Sequence, residues 1–478
     1  MPLYRQLSEA LRSCISIGRL KAGDPLPSSR DLSRMLGVGR NTIIRAYEEL
    51  ESQGYIKGST GSGTFVSDKL PQTTETVAPG TQEKLKRTLD SFELSAYAQR
   101  LSESELIHSV VDNVEMSCGG PPAQFLPVNQ WRELLSRHVK RGRSAEEYPY
   151  TDDALGYLPL REAIAGYLNR QRGLICDADQ IAIFPAQLYT LDLIARLFVE
   201  PGTTVVLENP GFPAARQTFC ALGARLHALP VDEEGLVAGA LNSVEEGCRL
   251  AYVIPSHNDV TGAVMSADRR KQLLVWASKR KALLIEDDWD CEYRYGNPPI
   301  SSLFGLDDSE CVIYFGTFWR TLFPLSTIGF LVAPWSLMRT IAHAKALVEP
   351  TFPMLEQFAL TDFIVEGHLE RHIKRTRESY MKRRQALLFA LSKHLTGRIV
   401  LNRESGGFHQ CMRLLSDIPE EKLLQLASQA GLPMVATGPE YLGVAPKQEF
   451  IISFAHLDED KVEEKVATFA ALMELRNS

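Results

Sequence analysis

The sequence has no long apolar run and no clustered cysteines. None of its apolar stretches approaches the ~18 residues that a membrane-spanning helix requires, and the amino terminus lacks a signal-peptide pattern. We therefore expect a cytoplasmic protein without a membrane partner. The 8 cysteines are scattered through 478 residues without a C-x-x-C pair. This scatter indicates reduced, buried thiols and argues against a structural zinc site.

Lysine is missing from a long central stretch, because none occurs between Lys281 and Lys345. Inside this stretch, residues 316–330 read G-T-F-W-R-T-L-F-P-L-S-T-I-G-F, with Arg320 as the basic side chain. A guanidinium stays charged near neutral pH and cannot attack an aldehyde, whereas a lysine amine can be tuned to do so. The segment is therefore unsuited to amine-based covalent catalysis.

Charge is distributed unevenly along the chain. The net charge of the whole chain is −7, yet residues 1–69 carry ten Lys/Arg against seven acids, which leaves the remainder at −10. A mildly basic head on an acidic body suggests a polyanionic partner for the head alone. At roughly 150 residues per domain, the length predicts two to four domains.

The head shows the pattern of three helices followed by a hairpin. Leucines and isoleucine at i, i+4 spacing over 3–15 predict an amphipathic first helix, and Ser28 or Ser29 can cap a second. A tight turn at 36–39 leads to a third helix that starts at Arg40 and stops at Gly54. Two short β-patterns around a G-S-T-G-S-G tip then predict a wing. A helix, tight turn and helix is a shape that enters the major groove of DNA.

The phrases P-L-Y-R-Q-L, L-P-S-S-R-D-L-S, L-G-V-G-R-N-T-I and G-Y-I…G-S-G-T-F-V make residues 1–68 resemble the GntR winged helix-turn-helix. The resemblance implies a double-stranded DNA operator as partner. Arg45 is a further candidate for DNA contact. It could instead belong to a solvated helix face, and Thr42 could serve packing. Gly39 stands where the family usually has a capping Ser or Thr, which suggests weak or cooperative binding. The residues implied to contact DNA are Arg30, Arg40, Asn41, Thr42, Arg45, Gly61, Ser62 and Gly63.

A polar stretch with two prolines at 69–91 predicts an extended tether between the head and a body at 92–478. The body alternates apolar β-runs with helical stretches, which indicates an α/β fold: a mostly parallel sheet with helices on both faces. From about residue 350 we expect a smaller α/β lobe. The predicted strands are Ile181–Phe184, Thr204–Glu208, Arg225–Leu229, Leu250–Ile254, Ala282–Glu286, Val312–Tyr314 and Ile328–Val332.

Long ordered phrases make the body resemble fold-type I aminotransferases, as joined to GntR heads in MocR-type regulators. They are Y-T-D-D-A-L-G-Y-L-P-L-R-E-A-I-A at 150–165, E-N-P-G-F at 208–212, P-S-H-N-D-V-T-G at 255–262, I-E-D-D-W-D-C-E-Y-R-Y at 285–295 and G-G-F-H at 406–409. The resemblance implies a pyridoxal phosphate (PLP) site. It assigns Asp287 to the pyridine nitrogen and Phe212 to the ring, places Asn258 nearby, and has Tyr157 reach across a homodimer. The alternative for Asp287 is a buried structural acid beside Asp288 and Asp290.

The implied PLP site is degenerate at several positions. Trp319, Arg320 and Thr327 replace the serine, lysine and arginine of the lysine loop, and Trp289 replaces a tyrosine. Residues 185–189 lack the glycine of the phosphate turn, and residues 450–454 lack the arginine that would clamp a carboxylate. We therefore expect a regulator without covalent PLP and without enzymatic activity. The alternatives are a regulator that binds PLP non-covalently and a divergent aminotransferase.

Arg320 has two readings in such a site. As a fixed cation in a cleft it suits a small anionic effector. Alternatively, it forms an ion pair with Asp287 or Asp288 in a collapsed pocket.

Overall fold

A computed structural model describes residues 3–16, 20–59, 63–67, 93–102, 121–141, 153–295, 301–349, 353–402 and 406–475. The chain divides into two compact units, with the division between Leu94 and Ser95. The predicted tether at 69–91 and the wing residues Gly61 and Ser62 lie outside the described residues. No helix in the described ranges combines the length and apolar character needed to cross a bilayer.

The amino-terminal unit packs three helices against a small antiparallel sheet of order β1-β3-β2. Ser28 caps the second helix by accepting from the Asp31 N–H, and Gly37 ends it in the left-handed conformation. Ile43, Leu50 and Val66 are fully buried at the centre of this unit. The elements are α1 (Leu3–Ser16), β1 (Pro25–Leu26), α2 (Ser29–Leu36), α3 (Arg40–Ser52), β2 (Ile56–Ser59) and β3 (Gly63–Val66).

The body is built on an eight-stranded sheet of order β4-β11-β10-β9-β8-β5-β6-β7. The five strands β10, β9, β8, β5 and β6 run parallel, and β11 and β7 are antiparallel to their neighbours. The strands are β4 (Ile181–Phe184), β5 (Thr204–Asn209), β6 (Arg225–Asp232), β7 (Gly235–Leu236), β8 (Leu250–Val253), β9 (Leu283–Asp287), β10 (Val312–Thr317) and β11 (Gly329–Val332).

Helices cover the sheet and connect its strands. The predicted fold class is confirmed: a winged helix-turn-helix followed by an aminotransferase-like α/β body. The body helices are α4 (Ala96–Ser102), α5 (Val128–Arg141), α6 (Leu158–Arg172), α7 (Gln187–Phe198), α8 (Pro213–Ala221), α9 (Ala267–Arg280), α10 (Leu303–Leu306), α11 (Trp319–Leu322), α12 (Trp335–Val348), α13 (Met354–Val365), α14 (His368–His394), α15 (Glu420–Gln429) and α16 (Val462–Glu474).

A second, four-stranded antiparallel sheet of order β12-β13-β15-β14 follows in the carboxy-terminal part. The smaller lobe was predicted to start near residue 350. The helix α13 lies just after that position but packs with α5 and α6 against the large sheet, so it does not belong to the smaller lobe. The antiparallel sheet packs with α14 and α16 through residues such as Leu391, Phe450 and Phe469. Its strands are β12 (Ile399–Leu401), β13 (His409–Leu414), β14 (Met434–Ala436) and β15 (Glu449–Ser453).

The central strands read as continuous apolar runs because both of their faces are covered. All residues of β4, β8, β10 and β11 are buried. Parallel strands end at one edge of a sheet, and ligands of such folds bind outside that edge. The predicted cofactor residue Asp287 is the last residue of β9, so the fold brings it to this edge.

Candidate functional site

The side chains predicted to contact DNA lie on α2 and α3 of the amino-terminal unit. Arg30, Arg40, Asn41 and Arg45 are exposed, whereas Thr42 is half-buried. The apolar side of α3 lies in the core of the unit. The polar side chains are therefore left at the surface, where a recognition helix needs them.

The start of α3 has the features of a phosphate-binding helix end. Gly39 precedes the helix without a side-chain cap, and the first turn contains no acid. Uncapped N–H groups and the positive end of the helix dipole favour an anion there. The Arg40 guanidinium stands at this end, and its Nε donates a long hydrogen bond of 3.4 Å to the Ser29 hydroxyl.

A surface hollow of about 350 Å³ lies beside α3. Asn41, Thr42 and Arg45 line it together with Tyr4 of α1 and the carboxylate of Glu48. Tyr4 was not among the predicted residues, because the periodicity of α1 shows its apolar side and not its neighbours.

The described part of the wing is a regular hairpin. Gly63 pairs with Ser59 across β2 and β3 and has a φ of +107°, which favours glycine. Gly61 and Ser62, the other predicted wing contacts, lie outside the described residues. Gly63 is therefore the one predicted wing contact that falls among the described residues.

In the body, the predicted centre lies where β9 ends. The buried Asp287 carboxylate accepts a hydrogen bond on one oxygen from the Tyr252 hydroxyl and on the other from the Gln187 amide. Burial raises the pKa of Asp287 to about 7, and the hydrogen bond from Tyr252 opposes this only in part. Each oxygen thus has one partner within the chain, and with a pKa of about 7 the carboxyl group is protonated in a fraction of the molecules near neutral pH.

The neighbouring Asp288 has a different partner from the one expected. Its carboxylate lies 2.7 Å from the Arg172 guanidinium and accepts a hydrogen bond of 2.6 Å from the Tyr314 hydroxyl. Burial tends to raise the pKa of Asp288, but Arg172 and Tyr314 outweigh it and the pKa lies below its usual value. The alternative in which Arg320 pairs with Asp287 or Asp288 is therefore not what the structure shows.

Arg320 lies in α11 and stacks on aromatic rings. Its guanidinium carbon is 4.2 Å from the centroid of the Trp289 ring, 5.0 Å from Trp319 and 5.6 Å from Phe408. No described residue forms a hydrogen bond or an ion pair with it. Burial raises the pKa of Asp259, and the charge of Arg320 opposes that rise. Arg320 is thus a cation held by ring faces rather than by a carboxylate.

The expected ring-binding residues leave little space. Phe212 and Tyr252 line a cavity of about 20 Å³, and about 10–15 Å³ suffices for a single water. The Asn258 amide donates to the Glu208 carboxylate at 2.9 Å, while its oxygen accepts from the Thr261 hydroxyl at 3.0 Å. Burial raises the pKa of Glu208 to about 7. Asn258 therefore connects its own loop to residues 208–210 at the end of β5.

Three further predicted residues are occupied within the chain. The Thr327 hydroxyl donates to the Pro185 carbonyl at 2.7 Å, and the Trp319 ring lies 4.8 Å from that of Phe323. The half-buried Tyr157 ring packs edge-on against Phe358 of α13 at 4.8 Å. The structure brings Arg320, Trp289 and Trp319 together, and it places Tyr157 against another helix.

A buried histidine pair is an addition that the sequence patterns did not indicate. His257 Nδ1 lies 2.9 Å from an Asp290 oxygen, and the two histidine rings of His257 and His409 are 6.0 Å apart. Burial, followed by the charges of His257 and Arg320, lowers the pKa of His409 to about 3. His257 belongs to the phrase P-S-H-N-D-V-T-G and His409 to G-G-F-H, but the distance between the two residues depends on how the two sheets meet. Within the described residues, no group of three or more His, Cys, Asp or Glu could hold a metal ion.

Two family models match the chain. The model of bacterial regulatory proteins of the gntR family matches residues 3–66, and that of aminotransferase class I and II matches residues 111–469. The protein therefore belongs to the class in which a DNA-binding domain of the GntR type is joined to an aminotransferase-like body.

Curated relatives match the chain over nearly its full length. "Probable rhizopine catabolism regulatory protein MocR" of Rhizobium meliloti is 30% identical over 100% of this chain and 95% of the relative. The pyridoxine biosynthesis transcriptional regulator PdxR of Corynebacterium glutamicum is 30% identical over 95% of this chain and 92% of the relative. The chain belongs to the MocR-type regulators of the GntR family.

Solved structures match the body. Kynurenine aminotransferase of Pyrococcus horikoshii is 26% identical, with a TM-score of 0.71 over 84% of this chain and 100% of that chain. The α-aminoadipate aminotransferase LysN of Thermus thermophilus gives the same identity and TM-score over 82% of this chain and 100% of that chain. The body is thus a PLP-binding fold in a chain whose full-length relatives bear the names of regulators.

Proposed function

We propose that the protein is a cytoplasmic, homodimeric transcription regulator that binds operator DNA through α2, α3 and the wing. The observation that carries this is an exposed Arg40, Asn41 and Arg45 at an uncapped helix start. A dimer would present two such heads to two half-sites. Tyr157, half-buried in this chain, is the residue that we expect at the contact between subunits.

We further propose that the body has lost covalent PLP binding and transaminase activity. Asp287, the residue expected to face the pyridine nitrogen, is buried and accepts hydrogen bonds from Gln187 and Tyr252 within the chain. The cavity at Phe212 has a volume of about 20 Å³, and Arg320 cannot replace an amine. The Thr327 hydroxyl, expected near the phosphate, donates instead to a carbonyl.

Non-covalent PLP remains the second candidate, because the fold is one that binds PLP and a relative regulates pyridoxine biosynthesis. It requires the cavity of about 20 Å³ at Phe212 to widen. Calorimetry with PLP tests this candidate. Saturable heat would support it, and no heat at high PLP concentration would remove it.

DNA binding is tested with the double variant Arg40→Ala/Arg45→Ala. Duplexes are first selected from a random library with the wild-type protein, and their affinities are then measured by fluorescence anisotropy. Because each base or phosphate contact is worth about 1–3 kcal/mol, we expect the double variant to bind at least about 30-fold more weakly.

The matched control removes two cations elsewhere in the same unit, Arg12→Ala/Lys21→Ala. It should weaken binding by a few-fold at most, through the loss of general positive charge. Equal affinities of the wild type and the Arg40→Ala/Arg45→Ala protein would contradict the proposed recognition surface.

A further inference from the structure

A second cleft of the body lies between α6, α14 and the segment 290–295 that follows β9. Its volume is about 340 Å³, within the range of roughly 300–1,000 Å³ typical of small-ligand sites. It is lined by side chains from all three segments, among them Tyr167, Arg294, Lys374 and Arg377. It is therefore far roomier than the cavity at Phe212.

Three cationic side chains of this cleft form no hydrogen bond or ion pair with any described residue. Lys374 and Arg377 are exposed and stand one turn apart on α14, so both side chains lie on one helix face. Arg294 is half-buried, and two of its guanidinium nitrogens, Nε and Nη1, are buried without a hydrogen-bond partner. Burial, reinforced by the charge of Arg172, lowers the pKa of Arg294. The guanidinium is thus held where an anion would stabilise it.

The acids near the cleft are already engaged. Glu370 lies 2.7 Å from the Arg170 guanidinium, and Asp288 is bound by Arg172. Glu292 accepts a hydrogen bond of 2.8 Å from the Tyr167 hydroxyl, and burial raises its pKa to about 7. The cleft therefore carries an excess of positive charge near neutral pH.

We propose that this cleft binds a small multivalent anion, a phosphate ester or a polycarboxylate, through Arg294, Lys374 and Arg377. Guanidinium groups bind the planar and branched oxygens of such anions with charge-assisted hydrogen bonds. On the basis of the proposed regulator function, this anion is the effector of the regulator. The effector site thus lies at Arg294 and α14, apart from the ring-covered Arg320.

The position of Arg294 connects the cleft to the rest of the body. Its backbone forms a β-bridge with Gly406, which opens the G-G-F-H phrase of the carboxy-terminal part. Arg172, another lining residue, holds Asp288 beside Asp287. An anion bound to Arg294 would therefore act on the segment that joins the two sheets.

Isothermal titration calorimetry of the full-length protein tests the site, with inorganic phosphate in one arm and citrate in the other at constant ionic strength. We expect saturable binding of at least one probe, and the arm that binds identifies the anion class. The variants Lys374→Gln and Arg377→Gln should each bind that probe about tenfold more weakly, since each loses a charge-assisted contact.

Lys382→Gln is the control, because Lys382 is an exposed lysine two turns further along the same helix. Its affinity for the probe should equal that of the wild type. Absence of saturable heat with both probes, or an equal loss in Lys382→Gln, would overturn the proposal. Without added anion, the DNA affinity of Lys374→Gln should equal that of the wild type. Failure of the anion-site proposal can therefore be told apart from failure of the DNA-binding proposal.

Discussion

At the scale of single residues, Asp287 shows why a family phrase predicts a position better than a role. The phrase I-E-D-D-W placed this acid at a strand end, and β9 does end there. Its partners, Gln187 and Tyr252, come from α7 and β8. Side-chain directions at the start of α7 are set by tertiary packing, so the sequence could not show that Gln187 reaches the carboxylate. The same holds for Arg320, whose neighbours are rings rather than the acids that were considered.

The buried Asp287 predicts a pH-dependent stability that Asp287→Asn should remove. Because burial raises its pKa to about 7 from 3.8, the folded chain keeps a proton that the unfolded chain loses as pH rises. The wild type therefore loses stability between about pH 4 and 7, by up to about 4 kcal/mol at this residue. Thermal melts at pH 5 and pH 8 measure it: the melting temperature of the variant minus that of the wild type should be larger at pH 8. Asp308→Asn, at an exposed carboxylate, is the control, and a difference for Asp287→Asn that does not change with pH would contradict the account.

At the scale of elements, the G-G-F-H phrase joins the antiparallel sheet to the end of β9. The Gly407 N–H donates to the Tyr293 carbonyl at 2.8 Å, and the Tyr295 hydroxyl donates to the Gly407 carbonyl at 2.8 Å. A β-carbon on Gly407 would lie 2.3 Å from His257 Cε1. The motif was visible in the sequence, but its contact with a loop 150 residues earlier was not, because periodicity reports only on neighbours along the chain.

Replacement of Gly407 by alanine should therefore destabilise the body strongly. Gly397→Ala is a matched control: the φ values are +76° and +74°, but nothing lies within 4 Å of a β-carbon at Gly397. We expect Gly397→Ala to cost about 1–2 kcal/mol for its left-handed backbone and Gly407→Ala at least about 3 kcal/mol, because His257 must also move. Urea unfolding measures both free energies. Equal losses for the two variants would show that His257 does not fix this approach.

At the scale of the whole molecule, alternation of apolar runs and helices predicted most of the large sheet. β4 was predicted to the residue, and β6, β9 and β10 extend three, one and three residues past their predicted ends. These extensions contain Pro230, Asp287 and Gly316, residue types that do not favour strands, so the patterns ended before them. The four strands of the antiparallel sheet were not predicted individually, since three of them are only partly apolar or are three residues long. Domain order and head architecture followed directly from turn signals and long family phrases.

In the proposed function, a DNA-binding regulator keeps an aminotransferase-like body that no longer binds PLP covalently. The most direct measurement is an absorption spectrum of the full-length protein with and without PLP, followed by borohydride reduction and intact mass. We predict that PLP causes no new band of a lysine adduct and that reduction adds no mass, because the family resemblance places Arg320 where the lysine would stand and a guanidinium cannot form the adduct. A shifted band together with a PLP-sized mass gain located on one lysine would contradict the account.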